Sequence, residues 1–140
     1  MYKSILVPLD FSPGSDKAIK AAAVLARSLG GKLDVITVLP EYGYSVVAQQ
    51  FPKDAQDKAR AEALEKLKSY VEEQGAADVL GKALTCQGSI YKEILEMAEA
   101  CKSDLIVISG RSEQWVDKFL MGSNAEKVVR YAACTVLVVK

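Results

Sequence analysis

Asp104-Leu-Ile-Val-Ile-Ser-Gly-Arg-Ser112, followed after a polar and aromatic interval by Gly122-Ser-Asn-Ala-Glu126, is the stretch on which the architecture of this chain turns. An apolar strand runs into a glycine, and a second glycine opens directly onto a helix. The first amides of a helix have no partner within it and lie at the positive end of its dipole, so they attract an anion. A glycine at 122 lets backbone approach such a ligand with no Cβ in the way. The layout is that of a phosphate site.

Outward from this stretch, the same alternation repeats. Residues 5–9 form a short buried strand ending at Asp10. Ser12-Pro13 then reads as a helix start, serine as N-cap and proline at the first helical position. Ala18, Ala22, Leu25 and Leu29 keep helical spacing until Gly30-Gly31 stops the helix. A strand over 33–39 follows, then a loop over 40–52 holding Tyr42, Tyr44, Val46, Val47 and Phe51, apolar and long enough to cover something. Residues 54–74 are an amphipathic helix with Ala59, Ala63, Leu67 and Val71 on one face. A weaker strand over 79–86 is interrupted by Gly81. A helix over 89–101 turns Ile90, Ile94, Leu95 and Ala98 inward. Leu105–Ser109 is a buried strand, 123–132 a helix, and Thr135–Val139 a closing strand. Alternating strands and helices with apolar strands argue a parallel sheet covered on both faces.

Composition bounds the function. The 140 residues suit one domain, half of them are apolar, and 18 basic residues balance 18 acidic ones. That balance gives no sign of disorder or of a nucleic-acid binder. No basic-then-apolar leader opens the chain and no apolar run approaches the roughly 18 residues of a membrane span, which points to the cytoplasm. Cys86, Cys101 and Cys134 are widely spaced and read as reduced structural thiols. With no histidine in the sequence, a Ser-His-Asp triad and a histidine-based metal site are excluded.

Ile5-Leu-Val-Pro-Leu-Asp-Phe-Ser12, Ser109-Gly110, Gly122-Ser123 and Cys134-Thr-Val-Leu-Val-Val139 together resemble the bacterial universal stress proteins, over nearly the whole chain. The resemblance implies an α/β fold, a single doubly wound, mostly parallel five-stranded sheet of order 3-2-1-4-5, Rossmann-like, with helices on both faces. In such sheets ligands bind beyond the carboxyl ends of the strands where the order reverses, which brings Asp10 and Gly110 to one crevice. It further implies a homodimer paired through the last strand, 136–139, and binding of ATP or another adenine nucleotide with Mg²⁺. Asp10 matches a position against the adenosine portion, Val38 one that contacts adenine through its backbone, and Pro8 one that lines the pocket.

The family's phosphate loop is a glycine, two residues, a second glycine, nine residues, then Gly-Ser. Here Gly110 resembles the first glycine and Gly122-Ser123 the last pair, but Glu113 stands at the second and the interval is one residue short. A carboxylate there repels phosphate, while Arg111 offers a forked cationic partner for it. Shortened loops of this kind occur in family branches that still bind nucleotide. The expected nucleotide-binding set is therefore Pro8, Asp10, Val38, Ser109, Gly110, Arg111, Gly122, Ser123 and Asn124, with no catalytic or metal-ligating side chain.

Each residue also has a plainer reading. Ser123 and Glu126 make a Ser-x-x-Glu capping box, worth about 1 kcal/mol of helix stability without any ligand. Asp10 starts the turn before a helix, and Val38 is core. Trp115, Phe119, Leu120 and Met121 pack as a helical turn or serve as a lid or dimer contact; Lys118 and Lys127 are solvated or assist phosphate, and Tyr91 and Lys92 coat a helix. No histidine, second carboxylate or Walker lysine is placed for fast hydrolysis, so at most slow ATPase or autophosphorylation activity is expected. Two other readings stay open: a nucleotide-free universal stress protein acting as a module for an unknown protein partner, and an adenine-alpha-hydrolase-type enzyme. The latter resembles Ser-Gly-Gly-x-Asp-Ser after the first strand, where this chain has Asp10-Phe-Ser-Pro-Gly-Ser15.

Overall fold

Ile5, Leu6 and Val7 have no solvent exposure because they lie on the central strand of a sheet with helices on both sides. The structure is a computed structural model and describes residues 1–39, 53–110 and 121–140. Its elements follow in the order β1 (Ser4–Pro8), α1 (Pro13–Leu29), β2 (Lys32–Leu39), α2 (Lys53–Glu73), a 3₁₀ turn (Ala77–Val79), β3 (Leu80–Gln87), α3 (Ile90–Ala100), β4 (Leu105–Ser109), α4 (Ser123–Tyr131) and β5 (Thr135–Val139). The strands are ordered β3-β2-β1-β4-β5 and every pairing is parallel. The expected α/β fold and strand order are both present.

Side-chain alternation along the strands divides the core into two layers. Ile5, Val7, Leu33, Val35, Leu105 and Val107 pack with α1 and α2, whereas Leu6, Ile36, Ile106 and Ile108 pack with α3 and α4. Each fully buried aliphatic side chain contributes about 1.5–3 kcal/mol. The start of the central pair is tied by Asp104, whose carboxylate accepts from the amides of Lys3 at 3.0 Å and Ser4 at 3.1 Å.

The helix ends follow the sequence closely at α1. Ser12 Oγ accepts from the Ser15 amide at 3.2 Å, Pro13 opens the helix, and Gly30 closes it in the left-handed region. The inner face of α1 is built from smaller residues than the spacing of leucines suggests. Ala18, Ala22, Ile19, Ala23 and Ala26 are buried, Leu25 is half-buried and Leu29 is exposed. Small side chains let a helix lie close to a sheet, so the alanine stripe takes the contact. In α2 the burial is carried by Leu67, Tyr70 and Val71, with Ala59 and Ala63 half-buried.

The interruption at Gly81 has a structural cause. The β2–β3 register shifts between Leu33 and Val35, and a Cβ at Gly81 would stand 2.7 Å from Asp34 Oδ1. That oxygen accepts from the Lys82 amide at 2.9 Å, which satisfies a carboxylate that is only 8% exposed. Val79 falls in the 3₁₀ turn and the strand runs on to Gln87. All three cysteines are free thiols. Burial, above all, pushes Cys86 up to about 11 and also raises Cys101 and Cys134, so they stay protonated at neutral pH. Among the described residues, no helix is long and apolar enough to cross a membrane.

Candidate functional site

β1 and β4 lie side by side at the centre of the sheet, and the chain leaves them toward opposite faces: β1 feeds α1, and α4 follows β4 on the other side. The divergence leaves a crevice beyond their carboxyl ends. A cavity of about 320 Å³ occupies it, within the range of small-molecule sites. Of the residues expected from the sequence, Pro8, Asp10, Val38, Ser109, Gly122, Ser123 and Asn124 all line it.

Gly110 does not line the cavity but fixes its frame. Its amide donates to Val139 O at 3.0 Å and its carbonyl accepts from the Gly122 amide at 2.9 Å. A Cβ there would stand 2.8 Å from Val138 Cγ1, closer than side chains approach. The glycine is thus required by close packing against β5. Arg111, Glu113, Trp115, Lys118, Phe119, Leu120 and the loop over 40–52 lie outside the described residues.

The capping box expected at Ser123 and Glu126 is not formed. The cap residue of α4 is Gly122, with no side-chain cap bond, and Ser123 is already helical. The bond from the Gly122 amide to Gly110 pins the chain one residue earlier than the sequence pattern places the start. Glu126 instead receives Arg130 Nη2 at 2.7 Å, while its amide donates to Gly122 O at 2.9 Å. Among the described residues, the first turn of α4 therefore faces the cavity with no side-chain cap bond on its amides. That strengthens its capacity for an anion.

At the opposite rim, Asp10 forms a tight polar turn. Its Oδ1 accepts from the Ser12 amide at 3.0 Å and from the Ser15 hydroxyl at 2.6 Å, and its own amide donates to Ser15 Oγ at 2.9 Å. Partial burial works to raise the carboxyl, and the hydrogen bonds from Ser12 and Ser15 together outweigh it, leaving Asp10 below its ordinary value and ionised at neutral pH. No described residue donates to Oδ2. The turn-forming and ligand-facing readings of Asp10 are compatible, one for each oxygen.

Several lining residues were not singled out from the sequence. Ser15 is buried behind Asp10, and its signal was a second hydroxyl in the first turn of α1. Ile36, Ile94 and Ile108 form an apolar wall. Ile90, expected to face the core, is 46% exposed and lines the cavity from the first turn of α3. Tyr91 packs against the α3–α4 layer with Lys127 Nζ 4.8 Å above its ring, so both serve packing there. The described lining carries one carboxylate, an apolar wall and the start of α4, but no basic side chain. It suits an elongated molecule with a flat apolar body, a hydroxyl or amine donor beside it and an anionic tail.

Residues 1–140 match the model of the universal stress protein family. The chain is 34% identical to universal stress protein MJ0531 of Methanocaldococcus jannaschii, an alignment spanning 100% of this chain and 83% of that protein. It is 33% identical to universal stress protein G of Shigella flexneri over 100% of both. Among solved structures, hypothetical protein MJ0577 superposes with a TM-score of 0.83 at 26% identity, covering 100% of this chain and 96% of that one. Two further structures share the fold at 24% identity. One is a universal stress protein in complex with cAMP, at a TM-score of 0.70 over 99% of this chain and 97% of that one. The other is the Archaeoglobus fulgidus universal stress protein in complex with dAMP, at 0.67 over 99% and 98%.

Proposed function

Since the chain belongs to the universal stress protein family, we propose that the crevice between β1 and β4 binds an adenine nucleotide, ATP, ADP or AMP, and that the protein works as a dimeric regulatory module in a stress response. The observation that carries the reading is the cavity itself, with an ionised carboxylate at one rim and, at the other, a helix start that no described side chain caps. The base lies along Pro8, Val38 and Ile90, Asp10 Oδ2 accepts from a ribose hydroxyl, and the amides of Ser123 and Asn124 receive the phosphates. Among the described residues, a Cβ at Gly122 would meet nothing nearer than Gly110 O at 3.9 Å, which leaves room there for a ligand to approach the backbone. The charge of Asp10 sets the polarity, because a carboxylate beside phosphates costs energy and beside hydroxyl donors gains it. Family structures solved with cAMP and dAMP support adenine as the base.

Bound Mg²⁺ would sit on the phosphates and keep much of its water, as this ion does at nucleotide sites. Among the described residues no cluster of three or more acidic or thiol side chains is placed to hold a metal. On this reading the protein gates by binding, with hydrolysis at most slow.

Titration calorimetry of the purified protein with Mg²⁺-ATP, ADP and AMP tests the reading. Saturable heat at one site per chain is the expected result, and silence with all three would favour a nucleotide-free interaction module. The lack of a basic side chain in the described lining is the observation on that side.

The dimer rests on β5. It is an edge strand carrying Leu137 at 38% exposure, and unpaired apolar edges are usually covered. Pairing with the same strand of a second copy gives a closed two-fold cover. Sedimentation at micromolar concentration is expected to show dimer, and Leu137→Lys to shift it toward monomer; a wild-type monomer throughout would refute the arrangement.

A further inference from the structure

Phe11 stands between Asp10 and Ser12 with φ +64°, in the left-handed region that bulky side chains enter only against a steric penalty. Glycine fits such a position freely. Here an aromatic ring occupies it, and the ring is held on three sides. It meets Tyr70 edge-on, with centroids 5.2 Å apart and planes at 87°. Lys66 Nζ lies 4.2 Å over its face. Tyr70 is in turn buried, its hydroxyl donating to Asp16 of α1, and Phe11 packs against the layer formed by α1 and α2.

The backbone consequence appears on either side of the ring. The left-handed bend turns the Ser12 amide back onto Asp10 Oδ1 and leaves the Asp10 amide on Ser15 Oγ. An extended residue at 11 would carry Ser12 away from the carboxylate. Strained backbone of this sort persists where its surroundings over-determine it, and it gathers at ligand sites. Helix α2 contributes no described lining residue to the cavity, yet supplies both side chains that grip the ring.

We propose that Phe11, clamped by Tyr70 and Lys66, is a positioning residue that aims the Asp10 carboxylate into the cavity, a role that rests on the nucleotide reading of that cavity. The clamp makes α2 part of the site without touching the ligand. It also separates two roles of one side chain, since the ring supplies the grip while the left-handed backbone supplies the aim.

Comparing Phe11→Ala with Phe11→Gly separates these roles. Both lose the ring, but only glycine adopts the left-handed bend without cost. Calorimetry with Mg²⁺-ATP is expected to give about tenfold weaker binding for Phe11→Ala and a loss of no more than about threefold for Phe11→Gly. A second measurement needs no ligand: carboxyl NMR titration of Asp10, with Tyr70, Asp16 and Lys66 as the other ionisable groups around the turn. Asp10 is expected to stay lowered in Phe11→Gly and to move up toward its ordinary value in Phe11→Ala, as the Ser12 amide leaves it. Should Phe11→Ala fail to fold, Phe11→Leu keeps bulk without the ring and carries the same two readings. Equal affinity in the two variants, or an Asp10 titration in Phe11→Ala matching wild type, overturns the proposal. If the wild type binds no adenine nucleotide, the nucleotide reading falls and the titration alone decides the positioning role.

Discussion

Asp10→Ala is expected to weaken Mg²⁺-ATP binding by roughly tenfold to a hundredfold, the loss of one hydrogen bond to a charged acceptor. The substitution also removes the acceptor for the Ser12 amide and the Ser15 hydroxyl. Ser15 is buried, so its hydroxyl is left without that partner, and a stability loss of about 1 kcal/mol accompanies the affinity loss. Calorimetry and thermal unfolding measure the two separately. Unchanged affinity in a folded Asp10→Ala protein would reduce Asp10 to a turn former. The pH dependence has a defined sign. Asp10 is held below its ordinary value of 3.8, so its contribution to stability is fully present above that value and disappears as pH falls through the lower folded value. Asp10→Ala is therefore expected to flatten the acid limb of the wild-type stability curve below about pH 4.

Gly110→Ala is the second large effect. The new Cβ would stand 2.8 Å from Val138 Cγ1, on a β-branched side chain with little freedom to move aside. Overpacking of this kind costs about 1–3 kcal/mol. The damage spreads, because the Gly110 amide and carbonyl hold Val139 and Gly122 respectively. Thermal unfolding is expected to drop by several degrees, with nucleotide affinity falling as the start of α4 shifts. Gly122→Ala is the matched contrast: its Cβ would make an ordinary contact with Gly110 O at 3.9 Å and its φ of −57° suits any residue, so stability changes by no more than about 1 kcal/mol, the cost of alanine at a helix cap. Equal melting temperatures for Gly110→Ala and wild type would show that β5 yields without cost.

The strands were legible because strands buried on both faces read as unbroken apolar runs, as Ile5-Leu-Val and Leu105-Ile-Val-Ile do. Their order was not written in any local pattern and came from the resemblance alone. The lining of the crevice was legible where a strand end or a helix start is written in a single residue, at Asp10 and Gly122, and Gly110 marked its frame. Ser123 misled because Ser-x-x-Glu carries the pattern of a cap, while a tertiary bond from Gly122 to Gly110 decides where the helix begins. Ile90 misled for a related reason. Helical periodicity puts it on the inner face of α3, but the first turn overhangs the cavity, so the same face leaves the core and meets the site. Phe11 gave no signal at all, since nothing in a sequence announces a left-handed aromatic.

The placement of β1 beside β4 governs when the crevice comes into being. Ser4 and Asp104 are joined by a hydrogen bond although a hundred positions separate them, and Asp10 and Gly122 stand further apart still. Closing so long a span costs chain entropy before any contact repays it, which slows folding of parallel sheets. No fragment ending before β4 can hold both rims, so a nascent or cleaved chain has no ligand site to offer. Whatever occupies the crevice binds the finished fold alone and raises its stability by mass action, about 2.7 kcal/mol at a hundred times the dissociation constant. On the proposed reading, ligand concentration would set how long the protein survives unfolding and proteolysis.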